Sequence, residues 1–238
     1  MHYFTTALHT HIDSGFGATA DSFKEAADKL KENLLKGGFN DHLPINFLYR
    51  HAIELYLKSA ITIFHRRLKI PYGTVPFDSE PMVQIGTNWE LVCKVHSIAT
   101  LWSYLQKLFE EHSSFLKNNT KTNWTLSPDV IVRVKIIEEN DPKSTYFRYP
   151  NVRDISKDKD KSSWKEIDPN QLFDASIKTA ESGKYVKVFL EENQKGETVR
   201  AYMYDDEPLK ELDGALMQMA ELFETVHFAM RAELCGGW

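Results

Sequence analysis

The segment between Pro44 and Arg67 constrains the fold more than any other part of this sequence. Its apolar side chains cover well over half the circumference of the helix that their spacing predicts, and such a helix needs neighbours on several sides. Pro44 suits the first helical turn, where a backbone N–H has no helical partner. The sequence therefore predicts a central helix, with apolar residues at Leu48, Ala52, Ile53, Leu55, Tyr56, Leu57, Ala60, Ile63 and Phe64.

A charged stripe runs along this helix. Arg50, Glu54 and Lys58 follow one another at intervals of four residues, so they share one face and can form a ladder worth about 0.2–0.5 kcal/mol per pair. One interpretation is that the stripe is the wet face of the helix. The alternative is that its charges are paired or line a cleft, since Phe47 and Ile61 share the stripe and the rest of the helix is apolar.

The remaining apolar spacing predicts an antiparallel helical bundle with a β-hairpin inserted before the last helix. The connection at 68–95 is irregular, and residues 151–205 form a polar loop followed by the hairpin. We expect one domain over 1–238. The predicted helices run from Thr19 to Lys36, from a Ser97 cap through Phe109 and from Asp206 to Gly236; the predicted strands are Met82–Ile85, Leu91–Val95, Lys184–Leu190 and Thr198–Tyr204. Ser127-Pro128-Asp129 is typical of a helix start and favours a further helix, although the β-branched run from Val130 to Ile137 also fits a strand.

Composition excludes several classes of protein. The net charge of -5 leaves no global basic field for nucleic acid, so any such binding needs a local basic patch. The 2 cysteines have no metal-ligand spacing, and the chain has neither a signal peptide nor an apolar run that could span a membrane. Gly15 and Gly17 imitate a dinucleotide fingerprint without the buried strand that should precede it. We expect a cytoplasmic protein with no membrane partner, no metal and no cofactor.

Two other segments carry candidate site residues. His96 precedes the Ser97 cap, where it is either a turn residue or an acid–base group in a cleft. The segment 144–150 sets Arg148 among aromatics that include Tyr149. Arginine in such a setting can stack on a base or bind a phosphate. Equally, the segment can be an arm packed on the bundle, with Arg148 paired to a carboxylate such as Glu54.

Three of these motifs together resemble the HEPN superfamily of bacterial helical proteins. The central-helix motif at 48–58 looks like its signature helix, and His96 with Leu101-Trp102, followed by 147–150, occurs in the same order. The resemblance spans 44–150 and implies a helical bundle, frequent homodimers and roles in toxin–antitoxin or antiviral defence. Many members are metal-independent ribonucleases. Those enzymes carry Arg followed after four to six residues by His, a spacing that is absent from this sequence.

These observations lead to two functional hypotheses. The first is a HEPN-like protein of prokaryotic defence or stress response that binds or senses RNA or nucleotides, with metal-independent RNA cleavage as one form of that activity. Its catalytic residues would be Arg50, His51 and His96, and its binding residues Glu54, Lys58, Arg148 and Tyr149. The alternative is a non-enzymatic interaction, immunity or antitoxin module whose charged stripe is structural. The partner would be RNA, a nucleotide, or a cognate antitoxin or defence protein.

Overall fold

The computed structural model describes residues 5–33, 39–151, 154–183 and 186–236. Within these residues the protein is mostly α-helical, so the predicted fold class is confirmed at that level. The helices are α1 (Phe16–Glu32), α2 (His42–Leu68), α3 (Ile98–Glu111), α4 (Ser113–Asn119), α5 (Asp129–Asn140), α6 (Ile155–Asp160), α7 (Leu172–Glu181) and α8 (Lys210–Leu234). The strands are β1 (Met82–Ile85), β2 (Asn88–Leu91), β3 (Trp164–Ile167), β4 (Val188–Glu192) and β5 (Thr198–Tyr204).

The chain forms two compact units. The first comprises residues 5–33, His42–Pro150 and 211–236 of the described chain, and it holds helices α1–α5 with α8 and the β1–β2 hairpin. The second comprises 39–41 and the described residues between Asn151 and Lys210, with α6, α7 and a three-stranded sheet. The insertion predicted at 151–205 falls within the second unit. The single domain expected over 1–238 stays a prediction.

Helix α2 lies at the centre of the first unit, as its composition predicts. It packs against α1 and α3, and it also contacts α8 through the hydrogen bond between Asn46 and Asp213. Eighteen residues of α2 are buried, against five in α1. Phe64 packs edge-on against Phe109 of α3 with ring centroids 5.3 Å apart. The apolar spacing therefore reflects burial on several sides of one helix.

Helix α1 begins three residues before the predicted start at Thr19, and neither Thr19 nor Asp21 caps it. Asp13 takes that role, since its carboxylate accepts hydrogen bonds from the amides of Gly15 (3.0 Å) and Gly17 (2.8 Å). Free amides and the helix dipole make this end of a helix favourable for a negative charge. The predicted end at Lys36 lies outside the described residues.

The connection between α2 and α3 contains a short hairpin. Strand β1 has the predicted bounds, but β2 begins at Asn88 rather than Leu91. Gly86 has a φ of +61°, and the tight turn that it allows sets Asn88 directly opposite Ile85. The predicted cap of α3 is confirmed, because the Ser97 hydroxyl accepts from the amide of Thr100 at 3.0 Å.

The polar stretch after residue 138 is more regular than its composition indicates. It contains α6, α7 and β3, none of which the sequence predicts, and α4 is a further unpredicted helix. Strand β5 has the predicted bounds and pairs antiparallel with β4, which begins at Val188; residues 184–185 of the predicted strand lie outside the described part. Strand β3 pairs with the other side of β5, so the sheet order is β3-β5-β4. Helix α5 runs from Asp129 to Asn140, so the favoured helix, and not the alternative strand, is confirmed for 130–137.

Helix α8 begins at Lys210 rather than at Asp206. Leu209 has a left-handed φ of +63°, which separates the preceding turn from the helix. Six apolar residues spaced three or four apart along α8 are buried: Leu212, Leu216, Met219, Phe223, Val226 and Met230. Phe223 faces Trp102 of α3 with ring centroids 5.9 Å apart. No helix among the described residues is both long enough and apolar enough to cross a membrane.

Replacing Leu57 by alanine tests the central position of α2. Leu57 is fully buried, so we expect the Leu57→Ala variant to lose about 2–5 kcal/mol of unfolding free energy, from lost burial and the cavity left behind. Urea denaturation of the purified protein measures the loss. Val132→Ala, on an exposed position of α5, should change stability by less than about 0.5 kcal/mol. Equal losses in the two variants would contradict the placement.

Candidate functional site

The charged stripe of α2 lies inside the protein. Arg50, Glu54 and Lys58 are 0%, 1% and 3% exposed. The Arg50 guanidinium donates from Nη1 to Glu54 Oε2 at 2.9 Å, and Lys58 Nζ donates to Glu54 Oε1 at 2.7 Å. One carboxylate therefore binds two cations, each one helical turn away. The i, i+4 spacing that the sequence displays produces this ladder directly.

Two loops complete the network from outside the helix. Arg50 Nη2 donates to the backbone carbonyl of His96, which precedes α3, and to that of Asp141, which follows α5. The Asp141 carboxylate lies 3.2 Å from Arg50 Nε and is itself 2% exposed. It also accepts from the amides of Thr145 and Tyr146, which fixes the turn after α5. A single buried guanidinium thus holds the ends of two loops together.

The electrostatics of the network favour a charged Glu54. Burial alone raises the pKa of this carboxyl, but attraction and hydrogen bonding to Lys58, attraction to Arg50 and a hydrogen bond from His96 outweigh burial and lower the pKa below its ordinary value. Two cations and two carboxylates, Glu54 and Asp141, balance one another in this region. Buried charges are tolerable when they are paired in this way.

His96 is the part of the network that reaches solvent. Its side chain is 45% exposed, and its Nδ1 lies 3.0 Å from Glu54 Oε1. An ionised carboxylate only accepts hydrogen bonds, so Nδ1 carries the proton and donates it to Glu54. Among the described residues Nε2 of His96 has no hydrogen-bond partner. Glu54 consequently fixes the ring and leaves Nε2 as a proton acceptor at the surface.

Arg148 and Tyr149 lie on the exposed part of the segment after Asp141. The Arg148 guanidinium lies 5.7 Å from the ring centroid of Phe47 on α2 and donates to the Ser144 hydroxyl at 3.4 Å. It is not a partner of Glu54, whose oxygens are occupied by Arg50, Lys58 and His96. Tyr149 is 56% exposed. The predicted arm therefore packs on α2 through a cation–π contact.

His51 lies beside the ladder rather than in it. Its ring stacks on Phe47 with centroids 5.9 Å apart and meets Phe23 of α1 edge-on. Burial lowers the pKa of His51, attraction to Glu54 opposes that shift, and repulsion by Arg148 adds to it. Arg148 and His51 both contact the ring of Phe47, which brings them close to one another. Within the described chain Nδ1 of His51 has no hydrogen-bond partner.

A second buried polar cluster joins α1, α2 and α8, and the sequence gives no sign of it. The Ser59 hydroxyl donates to Asp13 Oδ2 at 2.7 Å and lies 3.1 Å from Nδ1 of His227. Burial lowers the pKa of His227, with Asp13 opposing and Arg231 reinforcing the shift. The three groups come from segments far apart in the chain, so no local spacing connects them.

The second cluster is a chain of hydrogen bonds with a structural role. Ser59 is fully buried and gives its proton to Asp13, so its oxygen accepts from the His227 ring instead of losing a proton to it. A nucleophilic serine needs the reverse order and access to substrate. Gly17 lies against the same ring, since a Cβ built on it would come within 2.0 Å of His227 Cε1.

A groove lies apart from these clusters in the described part of the chain. Its volume is about 710 Å³, it lies between α3, α4 and the start of α5, and it shares no lining residue with either polar cluster. Trp102, Phe109 and Trp124 contribute much of its apolar wall.

Among the described residues no three histidine, cysteine or acidic side chains are arranged to hold a metal ion. Family models, curated proteins and solved structures provide no significant match to this chain.

Neutralising Glu54 tests the buried ladder. The Glu54→Gln variant leaves Arg50 and Lys58 buried without their shared carboxylate, so we expect a loss of about 3–5 kcal/mol at pH 7. Because the folded-state pKa of Glu54 is lowered, its contribution is complete above the ordinary value of 4.5 and is lost as pH falls through the folded-state pKa. Urea melts of both proteins should therefore converge in acid.

Glu139→Gln is the matched control for this experiment. Glu139 forms an exposed pair with Lys135 one turn away on α5, which should contribute less than about 0.5 kcal/mol. A Glu54→Gln variant as stable at pH 7 as Glu139→Gln would contradict the buried network.

Two glycine-to-alanine changes test the approach of His227 to α1. Gly17→Ala forces the imidazole or the helix to move, so we expect a loss of about 1–3 kcal/mol. Gly214→Ala in α8 meets no atom within 4 Å and should stabilise the protein by about 0.5–1 kcal/mol, because alanine favours helix over glycine. Thermal melts distinguish the two. A stabilising Gly17→Ala change would refute the close contact.

Proposed function

We propose that this protein binds RNA or a nucleotide on the surface of the two loops that Arg50 holds together. The observation that carries the proposal is the pair of hydrogen bonds from Arg50 Nη2 to the carbonyls of His96 and Asp141. These bonds anchor beside one another two loops that bear exposed polar and aromatic groups. A local basic patch is what nucleic-acid binding requires of a chain whose net charge is -5.

The chemistry of the exposed groups supports this ligand class. Lys143 and Arg148 are exposed cations, His96 presents a ring nitrogen at the surface, and Tyr149 adds an exposed aromatic ring. Arginine binds phosphate oxygens with two parallel hydrogen bonds, and aromatic rings stack on bases without regard to sequence. The packing of Arg148 on Phe47 orients the guanidinium before any ligand arrives. This arrangement favours phosphate binding with base stacking beside it.

Arg50 and Lys58 have an indirect role in this proposal. Both are buried and committed to Glu54, so they support the surface without contacting the ligand. We further propose that the protein belongs to the HEPN superfamily and acts in prokaryotic defence or stress response. The support is the motif on α2 together with the mostly helical first unit.

A second candidate function is metal-independent RNA cleavage, favoured by the hydrogen bond between His96 Nδ1 and Glu54. With Nδ1 protonated, Nε2 can accept the proton of a ribose 2′-hydroxyl. The resulting 2′-oxygen attacks the neighbouring phosphorus, the bond to the 5′-oxygen breaks, and that oxygen takes a proton from water. A positioned base of this kind contributes about 10²–10⁴-fold to a rate.

RNA binding and cleavage can be measured on the same variants. We expect the protein to bind fluorescent single-stranded RNA with an affinity that falls as salt rises, and Arg148→Ala and Tyr149→Ala to weaken binding about tenfold each. Lys29→Ala, an exposed lysine of α1, is the control for loss of one positive charge and should change little. Cleavage without divalent metal, lost in His96→Ala, would support the second candidate.

Other outcomes decide against these proposals. If the protein neither binds nor cleaves RNA or nucleotides, the ligand class is wrong, and the non-enzymatic interaction module replaces it. The apolar groove between α3 and α5 is the feature that favours such a module. Equal RNA binding by the Arg148→Ala variant and the unaltered protein would move the binding surface away from these loops.

A further inference from the structure

Strand β4 is an apolar edge strand with one side unpaired. It pairs with β5 on one side, and the described chain supplies no strand on the other. All five of its residues are exposed, including Val188, Phe189 and Leu190 at 37%, 59% and 42%. Such an edge presents free backbone N–H and C=O groups that form hydrogen bonds with another strand.

The pairing of β4 with β5 shows which backbone groups face the open edge. The carbonyl of Lys187 accepts from the amide of Tyr204 on β5 at 3.0 Å. Backbone groups alternate along a strand, so Phe189 and Glu191 also direct theirs toward β5. The N–H and C=O groups of Val188 and Leu190 therefore point outward. Between Lys187 and Glu191, where the pairing with β5 is regular, these are the two residues with which a partner strand would form hydrogen bonds.

Side-chain chemistry selects one pairing of β4 with a second copy of itself. In an antiparallel pair centred on Phe189, Val188 of one copy lies opposite Leu190 of the other, and both direct their backbone groups into the interface. Lys187 then lies opposite Glu191 on both sides of the two-fold axis, and the two Phe189 rings meet at the centre. Centring on Leu190 would instead place Phe189 opposite Glu191.

We propose that two copies of this protein associate through β4, antiparallel and centred on Phe189, to form one continuous six-stranded sheet. The interface is self-complementary in three respects: outward backbone groups, two Val188–Leu190 pairs on one face, and one aromatic pair with two ionic pairs on the other. Lys187 and Glu191 limit pairing in other registers, since only this centre places them opposite one another. The proposal does not depend on RNA binding, because it involves the second unit alone.

A disulfide across the two-fold axis tests the register. In the predicted pair the two Phe189 Cα atoms are about 4.5 Å apart, which is within the range that a disulfide spans. We would introduce Phe189→Cys into a Cys93→Ser background, since Cys93 is the exposed natural cysteine. Under mild oxidation a non-reducing gel should show a covalent dimer that dithiothreitol removes. The buried Cys235 is common to all samples.

Glu192→Cys in the same background is the matched control. It lies on the same exposed strand, but in the proposed register each copy's residue 192 lies opposite residue 186, about 20 Å from residue 192 of the other copy. We expect no cross-link from this variant. Cross-linking of both variants to the same extent, or of neither while circular dichroism shows them folded, would overturn the proposal.

Charge reversal tests the ionic pairs without a cross-link. Lys187→Glu and Glu191→Lys each place like charges opposite one another twice, so either change should weaken the dimer about tenfold by light scattering or native mass spectrometry. An equimolar mixture of the two variants places opposite charges together again and should regain the dimer. Glu197→Lys, in the turn beyond β4, is the control for charge. The proposed interface is contradicted if the unaltered protein is monomeric at about 100 μM. It is also contradicted if the mixture of the two variants does not regain the dimer.

Discussion

The burial of two cations and two carboxylates around α2 is the constraint on which the first unit depends. Water cannot stabilise Arg50 or Lys58 at this depth, so protein groups must do so, and Glu54, Asp141 and backbone carbonyls are the groups present. These partners come from α2 itself and from the loops before α3 and after α5. The network therefore fixes two loop positions as well as one helix, and its members depend on one another.

The features of this fold that the sequence predicts are those formed by contacts between residues close together in the chain. The ladder of Arg50, Glu54 and Lys58, the Ser97 cap and the buried face of α2 follow from spacings of three or four residues. The sequence does not predict contacts between distant residues, such as that of Asp141 with Arg50 or that of Ser59 with His227. Strand β3 is missed for the same reason, since its four residues become a strand only through pairing with β5.

The buried residues of this network differ in role from the exposed residues that they hold in place. The residues that first attract attention in the sequence, Arg50 and Lys58, have no surface to offer a ligand. What they provide is a fixed position for the exposed groups of the proposed binding surface, above all the His96 ring on Glu54 and the turn that Asp141 holds before Arg148. Positions held by packing and hydrogen bonds lose little freedom on binding, which favours affinity. A residue can thus matter for function without contacting the ligand.

The contact between Gly17 and the His227 ring has a consequence for how α1 docks. The residues that follow Gly17 in α1, Ala18 and Thr19, each carry a Cβ, and the imidazole leaves no space for one. A screw displacement of α1 by one residue, about 1.5 Å along its axis with a rotation of about 100°, would therefore bring a Cβ to the place where Gly17 meets the ring. The absence of a side chain at Gly17 therefore fixes the position along its axis at which α1 packs beside His227.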